Sequence, residues 1–313
     1  MKDKGEIVEG TLETPRTGAD DRLRAALSVR ERIGKLEDIS RQRAAEAREA
    51  IQMKLFPMWP DDRRGAPNDV IRSAIFGVVK TGKRKRVVKM PIASPAGSAV
   101  SLTGWRLDQH DADVWLEVMH FARQEKPGGK IRFKLNTLLR RLGKSDGGRD
   151  REWLRHRLEA LAETTIAYDD GRFAGVAGAM ISHFSIDRET GDVVLRTNPE
   201  LRALWEDVTH LNIDDRRSLG SNQLAKALHA MLSSHAAWTP MRLDTLMQRV
   251  GAEYARIRAF RSALELVLDD FISRGWARSY KIGRGDGGLV AIDKVQTPTQ
   301  ARALAARNAL PSP

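Results

Sequence analysis

Lys134-Leu135-Asn136-Thr137-Leu138-Leu139-Arg140-Arg141-Leu142-Gly143 is answered further along the chain by Arg242-Leu243-Asp244-Thr245-Leu246-Met247-Gln248-Arg249-Val250-Gly251. Leu, Thr, Leu, Arg and Gly recur in register. Each copy is followed, after a turn, by a longer helical pattern, with Arg155, Leu158 and Glu159 in the first matched by Arg261, Leu264 and Glu265 in the second. In the second copy Ile257, Phe260, Leu264, Val267, Leu268 and Phe271 step by three and four, which gathers one apolar face and leaves Arg258 and Ser262 pointing away.

Working outward, β-branched residues around glycine turns succeed both long helices. They lie at Thr164 to Asp170 and Met180 to Leu195 in the first copy and at Ala277 to Asp293 in the second, and they predict hairpins. A further helical pattern precedes each copy, Asp113 to Arg123 and Ser221 to His235. Helix, short helix, turn, long helix, hairpin is the order of a winged helix. The expected fold is therefore α+β, two tandem winged-helix domains, each a helix-turn-helix with a β-hairpin wing.

The chain has 313 residues, enough for two domains with tails. Residues 1–50 read as a disordered or helical N-terminal region: the first twenty are polar and aperiodic, and Asp20 to Ala50 carries Leu23, Leu27, Ile33, Leu36 and Ile39 at broken helical spacing. Pro57, Pro60 and Pro67 then keep the backbone extended, so residues 51–66 form a linker. The first winged-helix domain is expected over 67–212, the second over 213–295, and a C-terminal tail over 296–313.

Lys and Arg number 53 against 41 Asp and Glu, a net charge of +12 with a pI near 10.1. That excess points to a polyanionic partner, nucleic acid first. No apolar run reaches the roughly 18 residues of a membrane span and the N-terminus does not open a signal peptide, so a cytoplasmic protein without membrane partner is expected. The absence of cysteine excludes disulfides, thiolate metal sites and thiol nucleophiles.

In a helix-turn-helix the exposed face of the second helix enters the major groove. The candidates are Arg149, Arg151, Arg155 and His156 in the first copy and Arg256, Arg258 and Arg261 in the second. Arginine suits guanine because its planar fork can pair with O6 and N7 together. The wheel favours Arg155 and Arg258 as base readers, while Arg256 and Arg261 flank the apolar stripe, where they would hold phosphates or pair with Glu265. Lys281 and Arg284, beside the glycines of Gly283-Arg284-Gly285-Asp286-Gly287-Gly288, are candidates to touch phosphate or minor groove from the wing; an ordinary hairpin tip is the alternative.

Leu55-Phe56-Pro57-Met58-Trp59-Pro60-Asp61-Asp62 and Arg64-Gly65-Ala66-Pro67-Asn68-Asp69, continuing through Arg72-Ser73-Ala74-Ile75-Phe76, resemble the TrfA family of plasmid replication initiators. The resemblance weakens between Val87 and about Val295 and leaves the first fifty residues and the tail uncovered. It implies a protein without enzymatic activity of its own that binds direct repeats, called iterons, in a plasmid origin. It further implies opening of AT-rich DNA, recruitment of the host replicative helicase and the polymerase sliding clamp, and a balance between active monomer and inactive homodimer. Single-stranded DNA joins duplex origin DNA among the expected partners, and no cofactor is expected.

Gln52-Met53-Lys54-Leu55-Phe56 is similar to the pentapeptide by which bacterial proteins dock on the sliding clamp. Leu55 and Phe56 would fill an apolar pocket while Gln52 hydrogen-bonds, and Met53 and Lys54 depart from the usual residues. The alternative is that Leu55, Phe56 and Trp59 tuck onto the first domain.

Other features look catalytic and are read otherwise. Gly77 to Arg84 fits a phosphate-binding loop until Arg84 stands where Ser or Thr would hold magnesium, and Lys85 to Met90 reads as a basic strand instead of a helix. Tyr168, Tyr254 and Tyr280 lack the His-x-His neighbour of a nickase. Asp111-Ala112-Asp113 sits where a helix begins and is read as capping. His110, His120, His183 and His210 have no ligand spacing, so no metal is expected. A transcriptional repressor binding an operator through the same fold is the alternative function.

Overall fold

The structure, a computed structural model, describes residues 58–79, 84–94, 99–125, 128–169 and 174–308. The N-terminal region and the clamp-like residues Gln52, Met53, Leu55 and Phe56 lie outside the described residues, as do Lys80 to Lys83 of the phosphate-loop-like stretch.

The elements of the first half are β1 (Arg63–Pro67), the one-turn helix α1 (Asn68–Ile71), β2 (Arg86–Ile92), β3 (Ala99–Trp105), α2 (Gln109–Ala122) and β4 (Lys130–Lys134). Then come α3 (Leu135–Arg141), α4 (Gly148–Glu163), β5 (Thr165–Asp169), β6 (Ala174–Ala179), β7 (Ile181–Ile186) and β8 (Asp192–Thr197). A 3-10 helix (Pro199–Glu206) leads to β9 (Val208–Asn212) and α5 (Ile213–Ser218). The second half holds α6 (Gln223–Ser233), β10 (Met241–Arg242), α7 (Leu243–Arg249), α8 (Ile257–Ser273), β11 (Ala277–Ile282), β12 (Leu289–Lys294) and α9 (Pro298–Asn308).

The chain is a mixed α+β protein, and the sequence repeat has a structural counterpart. In the first copy α2, β4, α3 and α4 precede a sheet ordered β4-β8-β7; in the second α6, β10, α7 and α8 precede a sheet ordered β10-β12-β11. The same strand order is thus built twice around the same helices. Both short helices end on the repeated glycine, Gly143 at φ 68° and Gly251 at φ 58°, the left-handed conformation that stops a helix without a Cβ penalty.

The first copy carries additions. Hairpin β5–β6, between α4 and the wing, joins β2 and β3 in a sheet ordered β2-β3-β5-β6. Strand β1 pairs antiparallel with β9, Arg63 opposite Asn212, which ties the start of the first copy to its end. Residues 296–313, expected as a tail, include α9, whose Gln300 accepts from Lys294 Nζ at 3.0 Å.

Two cores result. Trp115, Leu138, Leu139, Leu154, Leu158 and Leu161 lie in the first, and Leu243, Leu246, Phe260, Leu264, Leu268 and Phe271 in the second. They exchange members: Val78 packs in the second core, and Ala230 of α6 packs in the first. Trp59 takes the place the sequence allowed it against the first copy, buried with its ring stacked on Trp205 and its Nε1 donating to His120 at 3.0 Å.

Buried charges lock the copies together. Arg106 donates to the carbonyls of Ala74 at 2.8 Å and Ile75 at 3.1 Å, and across the junction to Gly251 at 3.3 Å. Arg216 donates to Asp113 at 2.6 Å and to the carbonyl of Lys226 at 3.2 Å, while Lys226 Nζ reaches Asp113 at 2.5 Å. Glu117, buried on α2, accepts from Arg64 at 2.9 Å, Arg141 at 2.9 Å and Arg217 at 3.3 Å. A buried carboxylate survives desolvation only when opposite charge and hydrogen bonds surround it in this way.

Candidate nucleic-acid interface

Both long helices are amphipathic, so burying Leu154, Leu158 and Leu161 or Phe260, Leu264 and Phe271 leaves one face outward. On α4 that face presents Arg149, Arg151, Arg155 and His156, all exposed. The inner side is anchored by Arg157, which donates to Asp108 at 2.7 Å and to Asp111 at 3.1 Å at the start of α2. Asp108 and Asp111 form a reciprocal capping box there. Burial and the neighbouring Asp108 carboxylate push Asp111 up to about 7. Capping therefore holds for Asp111, whereas Asp113 faces Arg216 and Lys226.

Arg155 is engaged locally. Its Nε donates to Glu152 at 3.1 Å and its Nη2 to Glu152 at 2.5 Å, and its Nη1 donates to Glu159. His156 Nε2 lies 3.0 Å from Glu152 Oε1. Among the described residues Arg149 and Arg151 have no ion pair closer than 4.0 Å. Between α4 and the β7–β8 hairpin lies a concavity of about 300 Å³, lined by Arg151, Arg155, Arg188, Phe184 and Ile186 among others.

On α8 the N-cap residue Arg256 and Arg258 in the first turn are exposed, and among the described residues neither forms an ion pair. Arg261 behaves differently from its expected phosphate contact or Glu265 pair. Its Nη2 donates to the carbonyls of Gly283 at 2.6 Å and Gly285 at 2.8 Å, so it pins the wing turn to the helix. Lys281 and Arg284 stand exposed on that wing. Gly288 is required by the turn, because a Cβ there would fall 2.1 Å from the Gly283 carbonyl oxygen.

The two helix faces, each with its own hairpin, are where the structure places the sequence candidates, and it does not merge them into one cluster. Sequence reading missed Glu152 and noted Glu159 only as a repeat position, although their spacing of three and four from Arg155 is the spacing of helical ion pairs. It also missed Arg188, which sits in the Asp187-Arg188-Glu189-Thr190-Gly191 turn of the first wing.

The phosphate-loop-like stretch leads into strand β2, as its basic character predicted, and Gly77 is packed so closely that a Cβ would meet the Arg106 guanidinium. Arg84 pairs with Asp111 at 3.0 Å. Among the described residues no group of three His, Cys, Asp or Glu side chains is placed to hold a metal ion, and no helix is long and apolar enough to cross a membrane.

Domains 2 and 3 of RctB share the fold: they superpose with a TM-score of 0.51 at 14% identity, covering 73% of this chain and 98% of that one. The Pi initiator protein, solved in complex with iteron DNA, gives a TM-score of 0.46 at 11% identity over 60% of this chain and 94% of that one. The chain belongs to the TrfA family of plasmid replication initiator proteins, whose sequence profile matches residues 20–282. The plasmid replication initiator protein TrfA of Escherichia coli is 23% identical over 277 residues, covering 80% of this chain and 71% of that protein.

Proposed function

We propose that the chain initiates plasmid replication by binding iterons, the direct repeats of its origin, through two tandem winged-helix domains spanning 67–212 and 213–295. The observation that carries this reading is the twice-built helix-turn-helix with an arginine-bearing outer helix beside a hairpin. In it Arg149, Arg151, Arg256 and Arg258 remain unpaired within the described chain and available to a duplex, in a molecule of net charge +12.

Major-groove insertion of both outer helices orients the arginine forks toward base edges, while Lys281 and Arg284 of the wing neutralise phosphate. Binding through several phosphates displaces counterions, so affinity falls steeply with salt. The function further includes opening of adjacent AT-rich DNA, with single-stranded DNA as a ligand. It also includes recruitment of the replicative helicase and, through Gln52, Met53, Leu55 and Phe56, of the sliding clamp, all in the cytoplasm. Family membership supports these roles, and a homodimer fits the same expectation.

The test is a replication assay joined to footprinting. An origin fragment supplied with this chain in a host lacking other initiators should be maintained as a plasmid, and the purified chain should protect direct repeats within it. Protection without plasmid maintenance would favour an operator-binding repressor; absence of protection at low salt would end the reading.

A further inference from the structure

Arginine offers five N–H donors in one plane, and the edge they leave free decides what the side chain can read. The Nε–H and the adjacent N–H of Nη2 of Arg155 form one edge, and both point at Glu152, at 3.1 and 2.5 Å. A donor of Nη1 is taken by Glu159, four residues on. His156 Nε2 lies 3.4 Å from Arg155 Nη2 and closer, 3.0 Å, to Glu152 Oε1. Of the five donors, one hydrogen on Nη1 and one on Nη2 remain.

Two donors on the two terminal nitrogens are what a guanidinium needs to meet guanine O6 and N7 together. The side chain lies on the exposed face of α4 and lines the concavity facing the β7–β8 hairpin. A free arginine must give up its rotamer freedom on docking, whereas one held along its inner edge has already lost it. The two carboxylates also carry a cost, since they would face a polyanion in a molecule otherwise basic. A pair of acids at such a place weakens binding to all DNA unless it is repaid by discrimination.

We infer that Glu152 and Glu159 are positioning residues that brace Arg155 as a guanine reader, making the first copy a specificity element. This inference rests on the DNA-binding reading of α4. It differs from a merely solvated charged face in the sign of its effects: loss of the brace strengthens indiscriminate binding and weakens sequence choice.

The experiment selects binders from a randomised duplex pool with the full chain and compares Glu152→Ala, Glu152→Gln, Arg155→Ala, Arg155→Lys and Arg258→Ala. Arg155→Ala and Arg155→Lys should flatten a guanine preference at one position, and Glu152→Ala should flatten the same position by about tenfold, within the range of a lost bidentate contact. Glu152→Gln, which keeps an acceptor, should recover part of that preference. Affinity of Glu152→Ala for random duplex should rise. If Arg258→Ala erases its own position while Glu152→Ala raises affinity for all sequences and leaves every base preference intact, the brace is refuted and the DNA-binding reading stands. If the unaltered chain enriches no sequence at all, both fall together.

Discussion

Arg106, buried in the first copy, donates its Nη2 hydrogen to the carbonyl of Gly251, 3.3 Å away at the turn of the second helix-turn-helix. The same carbonyl and that of Val250 accept from the Val78 amide, each at 3.1 Å, and the Glu253 amide returns a bond to the Val78 carbonyl at 3.2 Å. The turn that orients the second outer helix is thus part of the junction between copies.

Arg106→Ala should destabilise the protein by at least about 1–3 kcal/mol, the cost of one buried carbonyl left without a donor. The carbonyls of Ala74 and Ile75 lose this donor in the variant, while that of Gly251 loses Arg106 and keeps the Val78 amide. Gly251→Ala should also destabilise, since residue 251 has φ 58° and its Cβ would lie 2.5 Å from Arg106 Nη2. Urea denaturation measures both, and an unchanged midpoint for Arg106→Ala would refute the junction's role.

Glu117→Ala should cost about 3–5 kcal/mol, because it leaves the fully buried Arg64 without its counter-charge. Arg217→Ala, whose partner Glu117 keeps Arg64 and Arg141, should cost much less. Equal losses in thermal denaturation would show that Glu117 is not the centre of the network.

Arg258→Ala should weaken origin binding by about 1–3 kcal/mol and reduce discrimination against random DNA, as expected for a base-edge contact. Lys281→Ala should weaken cognate and random DNA alike and lower the salt slope by about one. Titrations of both variants on both DNAs, at several salt concentrations, separate the two roles.

His229 is buried against the Trp276 ring, 4.9 Å between centroids, and desolvation together with the positive charges of Arg216, Arg274 and Lys294 lowers it to about 3. A histidine depressed below its unfolded value is neutral in the fold and takes up a proton on unfolding. Its contribution is complete above about pH 6.5 and declines as the pH falls toward 3, by up to about 1.4 kcal/mol per pH unit. His229→Gln should therefore show a shallower loss of stability between pH 6.5 and 5 than the unaltered chain, measured by denaturant titration at each pH. Parallel slopes would mean that His229 is protonated in the native state.

Much of the fold is legible because it is local and repeated. The Leu-x-Thr-Leu pattern, the glycine stops and the three-and-four spacing of Phe260, Leu264 and Phe271 are each fixed by neighbours within a turn or two. The pairing of β1 with β9 is not, since Arg63 and Asn212 are brought together only by everything between them. Strand β10 is two residues long and carries no period at all. The helix in the expected tail was hidden for another reason: its alanine-rich residues acquire a fixed place through Gln300, which donates to the Ser233 carbonyl at 2.8 Å.

The candidate interface is legible in residue type and less so in use. Arg155 and Arg261 match in the repeat, yet one is held by carboxylates of its own helix and the other by carbonyls of a wing. Composition cannot announce that difference, because it depends on where a hairpin turns. Arg106 and Arg216 show the converse, since charge ordinarily marks a surface and both are buried among partners drawn from both copies, Ala74, Ile75 and Gly251 for the one, Asp113 and Lys226 for the other.

The Arg217 guanidinium donates to the carbonyl of Arg141 at 2.5 Å, so the end of the short helix of the first copy is also held from outside. A molecule braced at both of these corners works as a caliper set to one opening. For a duplex gripped by both outer helices, about five added base pairs between the two contacted segments would swing one segment to the far side of the helix axis, away from the jaw that should meet it.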